Sequence, residues 1–273
     1  MFNPDALPPL RDVIAAHELR AKKALGQNFL LDLNITDKIA RQAGDLSGVT
    51  VIEIGPGPGG LTRSLLKTNA KKVIAVEFDP RAVVALQGLK DAGAGRLEII
   101  AGDALSLDLL KLAEEPRAIV ANLPYNIATP LLVNWLRQVR DVPGAFQSMT
   151  LMFQREVGHR IAALPGTKAY GRLAILSQWL CDVRVCFDLP PSAFTPPPKV
   201  SSSVVHFVPR KLGVDAPGFS AVERVTAAAF GQRRKMVRTS LKPYEDKFER
   251  LGIDPTDRAE NFSVQQFIDL ARA

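Results

Sequence analysis

The chain has 273 residues, 47% hydrophobic and 23% charged, which excludes the disordered and fibrous classes and suits one substantial domain with a smaller one attached. No stretch approaches the ~20 uninterrupted apolar residues a membrane helix needs, and the N-terminus MFNPDALPPLRDVIAAHELRAKK lacks the charged-then-apolar layout of a secretion signal, so a soluble cytoplasmic protein is predicted. The net charge of +7 points toward a polyanionic partner without specifying one.

In chain order, NITDKIARQAG reads as an amphipathic helix with Asn34 as N-cap. From Val49 onward, short apolar runs alternate with helical stretches, the pattern of βαβ units and a parallel sheet. The predicted strands are TVIEI (50–54), KVIAVE (72–77), RLEII (96–100), AIVAN (118–122) and SMTLMF (148–153). GLTRSLLK, PRAVVALQGL and TPLLVNWLRQV are the helices between them. After residue 180 come VRVCF (183–187), the proline-rich PPSAFTPPPK and SSVVHFV (202–208), two strands around an extended loop that suit a sheet edge. Beyond Pro209 the segments FSAVERVTAAAF, GQRRKMVRTSL and VQQFIDLAR are helical, which divides the chain into an α/β domain over 1–209 and a small helical domain over 210–273.

Cys181 and Cys186 are too few for a disulfide framework or a thiolate metal cluster and read as packing residues. His17, His159 and His206 show no ligand spacing, so no metal is expected.

EIGPGPGG (53–60) follows the first strand directly, and Gly55, Gly57 and Gly60 satisfy G-x-G-x-x-G. Glycines there allow a tight turn and let a ligand approach the backbone at a helix N-terminus. Glu77, at the end of the second strand, can accept from ribose hydroxyls, and Asp103 in GDAL can reach an adenine amino group. Each acid alone could be a helix cap or turn residue; at successive strand ends they outline an adenosine pocket, and a dinucleotide-binding Rossmann protein is one candidate for it. NLPYNIATP (122–130) closes the fourth strand, where a turn and an active site are both open readings.

EIGPGPGG, VEFD, GDA and NLPY, in this order and at these spacings, resemble the nucleotide-binding and catalytic motifs of class I S-adenosylmethionine-dependent methyltransferases. KKALGQNFLLD (22–32), FQREV (153–157), YGRLAI (170–175), FTPPPKVSSSVV (194–205) and FGQRRKMVRTSL (230–241) narrow the resemblance to the small-subunit ribosomal RNA adenine dimethyltransferases, the kasugamycin-sensitivity family, from Lys22 to the C-terminus. The resemblance implies a Rossmann-like α/β fold with a mostly parallel seven-stranded sheet and a small all-helical C-terminal domain. It also implies that S-adenosylmethionine donates methyl groups to N6 of two adjacent adenosines in the 3′-terminal hairpin of 16S ribosomal RNA. The partner would be the small ribosomal subunit or its precursor, and the protein a monomer.

By the same resemblance, Asn28, Leu30, Gly55, Gly57, Glu77, Asp103 and Asn122 contact the cofactor, and Asn122, Leu123, Pro124, Tyr125 and Phe194 form the catalytic pocket. The chemistry is consistent with that assignment. The adenine N6 lone pair is delocalised into the ring, and two acceptors against its N–H groups, an Asn oxygen and a carbonyl of the Leu-Pro segment, would relocalise it. Proline fixes their placement, Tyr125 stacks on the base, and Phe194 covers its opposite face. Relatives that modify DNA usually carry two prolines in this tetrapeptide, so Leu123 favours the RNA branch.

Arg233, Arg234, Lys235 and Arg238 in GQRRKMVRTSLK carry the RNA-binding expectation, with Arg234, Arg238 and Lys242 spaced as one helical stripe beside Phe230, Val237 and Leu241. Arg155, Arg160 and Arg172 add to the basic count, and Lys22 and Lys23 are further phosphate candidates. Two other readings stay open: a large-subunit RNA adenine dimethyltransferase of the macrolide-resistance type, and a mainly non-catalytic assembly factor. Phe262 stands where relatives often carry a smaller aliphatic residue, and the first twenty residues match nothing specific.

Overall fold

A computed structural model describes residues 2–3, 7–19 and 27–272 of the chain. Strands buried on both faces must be apolar almost throughout, and the central strands follow that rule: β2 (Thr50–Ile54), β3 (Lys72–Glu77), β5 (Arg117–Asn122) and β6 (Ser148–Gln154). With β4 (Leu97–Ala101), β7 (Cys181–Leu189) and β9 (Ser202–Pro209) they form one seven-stranded sheet in the order β4-β3-β2-β5-β6-β9-β7. Only β9 runs against its neighbours. A separate two-stranded ribbon pairs β1 (Phe29–Leu30) with β8 (Phe194–Thr195), Leu30 opposite Phe194.

The chain winds outward from β2 through β3 to β4, then returns to place β5 on the other side of β2. Such a reversal opens a crevice beyond the carboxyl ends of β2 and β5, where open α/β sheets bind ligands. The glycine loop after Ile54 and the NLPY turn at the end of β5 both lie there.

The helices are α1 (Leu10–Ala16), α2 (Leu33–Gln42), α3 (Gly60–Lys67), α4 (Pro80–Ala85), α5 (Gln87–Ala92), α6 (Tyr125–Asp141), α7 (Arg155–Ile161), α8 (Arg172–Leu180), α9 (Phe219–Gly231), α10 (Val237–Ser240) and α11 (Val264–Ala271). Side-chain alternation along the strands divides the interior. Val51 joins Leu65 and Val73 on one face, while Ile52 and Ile54 join Trp135, Leu151 and Phe207 on the other. The second cluster continues without a break into Phe219, Val222, Phe262 and Phe267. The C-terminal helical region therefore packs directly on α6 and α8, and residues 209 and 210 mark a change of secondary structure within one continuous core. Phe262 is buried and packs against Phe267, their ring centroids 5.6 Å apart.

Three local expectations are corrected. Asp32, not Asn34, caps α2: its carboxylate accepts from Asn34 N at 2.8 Å. PRAVVALQGL divides into α4 and α5 around Leu86. GQRRKMVRTSL is not one helix, because the backbone leaves helical geometry at Gln232, and Met236 pairs in a bridge with Arg258 while Val237 N donates to Asp257 O. The stripe of Arg234, Arg238 and Lys242 therefore does not form.

Both cysteines are free thiols, Cys181 buried and Cys186 half-buried in packing positions. Among the described residues no group of His, Cys, Asp and Glu has the geometry to hold a metal ion, and no helix is long and apolar enough to cross a membrane.

Candidate active site

The glycine loop leaves β2 with Gly55 at φ 68° and Gly57 at φ 56°, in the left-handed region that favours glycine. Glu77 holds this loop in shape. One of its oxygens accepts from Gly57 N at 3.0 Å and the other from Asp79 N at 2.8 Å. Burial pushes the Glu77 pKa up, with these backbone donors opposing the shift. Each carboxylate oxygen keeps a second acceptor site, so the expected role toward ribose hydroxyls stays geometrically open. Asp103 caps the turn after β4, accepting from Leu105 N at 2.9 Å, and also lines the crevice. The acid that caps this turn therefore also lies at the crevice wall.

An N-terminal arm closes the crevice from above. Asn28 and Leu30 line it together with Gln27 and Phe29. The approach is close: a Cβ on Gly60 would lie 2.6 Å from Leu30 O, and one on Gly57 2.9 Å from the Phe29 ring. The third glycine of the motif thus admits the arm. Beside it, Asp79 accepts from Gln27 and pairs at 2.6 Å with Arg81, whose guanidinium also donates to Glu18 O.

NLPY forms the facing wall. Leu123 buries its side chain in the core, which anchors the tetrapeptide, and the Pro124 ring lies 3.6 Å from where a Gly55 Cβ would be. Asn122 donates its side-chain amide to Asn28 O at 3.1 Å. That donor contact leaves the amide oxygen free to act as an acceptor. Tyr125 opens α6 at the crevice, and its hydroxyl lies 2.5 Å from Ser202 Oγ.

Two acids of the crevice, Asp79 and Glu53, were not expected from the sequence. Glu53, inside β2, is buried against the crevice with Oε2 lacking a hydrogen-bond partner, and the Thr62 hydroxyl faces it without closing a bond. Burial raises its pKa from 4.5 to about 8, and the neighbouring Glu77 adds to the shift. An acid inside a wholly buried apolar strand is costly, so its presence in TVIEI was itself the available signal.

One expectation about position is corrected. Phe194 does not line the crevice; its strand pairing with Leu30 turns the ring into the apolar cluster with Leu189 and Val204. The basic residues of 233–238 lie away from the crevice, and Arg233 is engaged within the fold by Glu260 at 3.0 Å and by Lys168 O. Arg234, Lys235 and Arg238 are exposed and carry no side-chain partner among the described residues. Arg155 pairs with Asp188 and Arg160 with Glu156, whereas Arg172 is exposed without an ion pair among the described residues. Lys22 and Lys23 lie outside the described residues.

Among the described residues the crevice is lined by four acids, Glu53, Glu77, Asp79 and Asp103, and by no Lys, Arg or His, although the chain carries a net charge of +7. Such a lining suits a ligand that brings hydrogen-bond donors and disfavours an anionic one. The ribosomal RNA adenine dimethylase family matches residues 18–273. The chain belongs to that family.

Family members of closely similar length align along nearly all of it. The ribosomal RNA small subunit methyltransferase A of Ruegeria sp. is 57% identical over 98% of this chain and 97% of its own length. The protein of the same name from Mesorhizobium japonicum is 57% identical over 98% and 99%. Among solved structures, a dimethyladenosine transferase from Plasmodium falciparum superposes with a TM-score of 0.72 at 26% identity, covering 88% of this chain and 94% of that one. The 23S rRNA methyltransferase ErmE shares the fold, with a TM-score of 0.67 at 24% identity over 89% and 98%.

Proposed function

We propose that the protein transfers methyl groups from S-adenosylmethionine to N6 of two adjacent adenosines in the 3′-terminal hairpin of 16S ribosomal RNA, within the small ribosomal subunit or its precursor, and dimethylates each. The observation that carries this reading is the clamped amide of Asn122, whose oxygen is left as an acceptor where NLPY meets a crevice whose charged side chains, among the described residues, are all acids.

The residues present fit the cofactor. S-adenosylmethionine supplies, when bound, a methyl group activated on a sulfonium centre. Gly55 and Gly57 leave room for close approach, Glu77 and Asp103 offer acceptors to ribose and adenine, and the arm at Asn28 and Leu30 covers the site. Glu53, protonated at neutral pH by its burial and with Oε2 lacking a partner at the crevice, can offer a hydrogen bond to a ligand there. The Asn122 side-chain oxygen and the Leu123 carbonyl receive the two N6–H groups, holding the nitrogen toward tetrahedral geometry. Tyr125 offers a ring face to a base that must leave its stack to be reached. Catalysis then comes mainly from proximity and alignment, and the N6 cation formed on attack loses its proton to water without a dedicated base.

The names and 57% identity of the bacterial relatives favour the small subunit as substrate over the large one. The test supplies radiolabelled S-adenosylmethionine with unmethylated small subunits, large subunits or duplex DNA. Label in the small subunit alone is expected. Label only in the large subunit or DNA overturns the assignment, and binding to the small subunit without any label favours an assembly factor.

A further inference from the structure

The NLPY tetrapeptide is held at both ends. At its start, Asn122 is tied to Asn28 on the arm. At its end, the Tyr125 hydroxyl meets Ser202 Oγ at 2.5 Å. Ser202 is itself immobilised: it is fully buried, opens β9, and sits in register with Gln154 on one side and Leu189 on the other. The loop before it begins at β8, which pairs through Leu30 and Phe194 with the arm that carries Asn28. Arm, loop and tetrapeptide thus close into one ring of contacts around the crevice.

The hydroxyl oxygen of a tyrosine lies on the axis of the second torsion, so a bond to it holds the far end of the ring and restrains the swing of the whole ring about the first torsion. Tyr125 is half-buried, so water could satisfy its hydroxyl and leave the ring free to rock. A fixed serine instead sets one tilt. We propose that Ser202 is a positioning residue for methyl transfer: its hydroxyl anchors the far end of the Tyr125 ring and so fixes the direction of the platform against which the target base lies. This rests on the reading of Tyr125 as the platform for that base.

Alignment within roughly 10–20° is what a positioned reaction demands. The second methylation is the more exacting, because N6 then carries a methyl group and a single N–H while its lone pair must still face the donor. A loosened ring therefore penalises the second transfer more than the first.

The experiment compares Ser202→Ala, Ser202→Thr, Tyr125→Phe and the double variant Ser202→Ala/Tyr125→Phe on unmethylated small subunits, with thermal unfolding as a control. Ser202→Ala and Tyr125→Phe should each lower kcat about tenfold, the factor one hydrogen bond of about 1.4 kcal/mol represents. KM for the subunit should stay unchanged, N6-monomethyladenosine should accumulate, the double variant should be no slower than either single one, and Ser202→Thr should restore the rate. Wild-type kcat and product ratio in Ser202→Ala, or single effects that multiply in the double variant, overturn the proposal; if Ser202→Ala does not fold, Tyr125→Phe decides alone. Tyr125→Ala separates the layers: its inactivity beside a fully active Ser202→Ala removes only the role of Ser202, whereas full activity in Tyr125→Ala removes the platform reading and this proposal together.

Discussion

Asn122 donates a side-chain N–H to the carbonyl of Asn28 across 94 positions of sequence, at 3.1 Å. The contact joins the wall proposed to hold the adenine to the arm proposed to cover the cofactor, and it fixes which end of the amide faces outward. Asn122→Ala should lower methyl transfer about a hundredfold or more, the scale seen when one well-placed polar group is lost from a reaction centre, with subunit binding largely intact. Asn122→Asp keeps an acceptor but sets an oxygen against the Asn28 carbonyl, so it should also fall well below wild type. Rates on labelled subunits and a filter-binding assay check both, and full activity in the alanine variant would show that the acceptor is misassigned.

Gly60 can be probed independently of the chemistry. A Cβ at this position would lie 2.6 Å from the carbonyl oxygen of Leu30, a backbone atom that cannot swing aside. Gly60→Ala must therefore displace the arm, with overpacking costing about 1–3 kcal/mol. The expected outcome is a lower melting temperature and at least about tenfold weaker S-adenosylmethionine binding by calorimetry, tenfold being about 1.4 kcal/mol. Gly88→Ala, inside α5 with nothing within 4 Å of its Cβ position, is the matched control: it should leave binding unchanged and should not lower the melting temperature.

Glu53 makes stability depend on pH in a defined direction. Its pKa rises from 4.5 to about 8 on folding, so between those values the folded protein holds a proton that the unfolded chain has released. Stability then falls as pH rises, by up to about 1.4 kcal/mol per pH unit for this one proton, until Glu53 itself ionises. Glu77, raised by the same burial, adds in the same sense. Thermal unfolding of the free protein between about pH 5 and pH 8 should show the decline, and Glu53→Gln should flatten it. An identical slope in the variant would mean that another group governs it.

The parts of the molecule legible in the sequence are those where a local pattern and the tertiary environment agree. β2 and β3 run from Thr50 to Ile54 and from Lys72 to Glu77, the predicted limits, because strands buried on both faces are bounded by abrupt changes of polarity. At the sheet edge that contrast fades: β7 extends from Cys181 to Leu189, beyond the predicted VRVCF, since its outward positions tolerate Asp182 and Arg184. The β1–β8 ribbon has two residues in each strand, too few for any periodicity, and only the fold brings them together. Its register is also what turns Phe194 inward. In GQRRK, residues with good helix propensity leave the helix because Met236 and Val237 pair with Asp257 and Arg258, a tertiary contact overriding a weak local preference.

That broken helix sharpens the expectation for RNA. Arg233 is committed to Glu260 and Lys168 O, whereas Arg234, Lys235 and Arg238 project without partners among the described residues. Removing a side chain that touches phosphate weakens binding and lowers the salt dependence by about 0.7–0.9 per contact in a log–log plot. The triple variant Arg234→Ala, Lys235→Ala, Arg238→Ala should therefore raise KM for the subunit, reduce the slope by roughly two to three, and leave the melting temperature near wild type. Arg233→Ala should do the reverse, costing about 1 kcal/mol of stability with a smaller change in slope. Equal slopes in wild type and the triple variant would place the RNA contacts on another face, with the partner-free Arg172 the next residue to test.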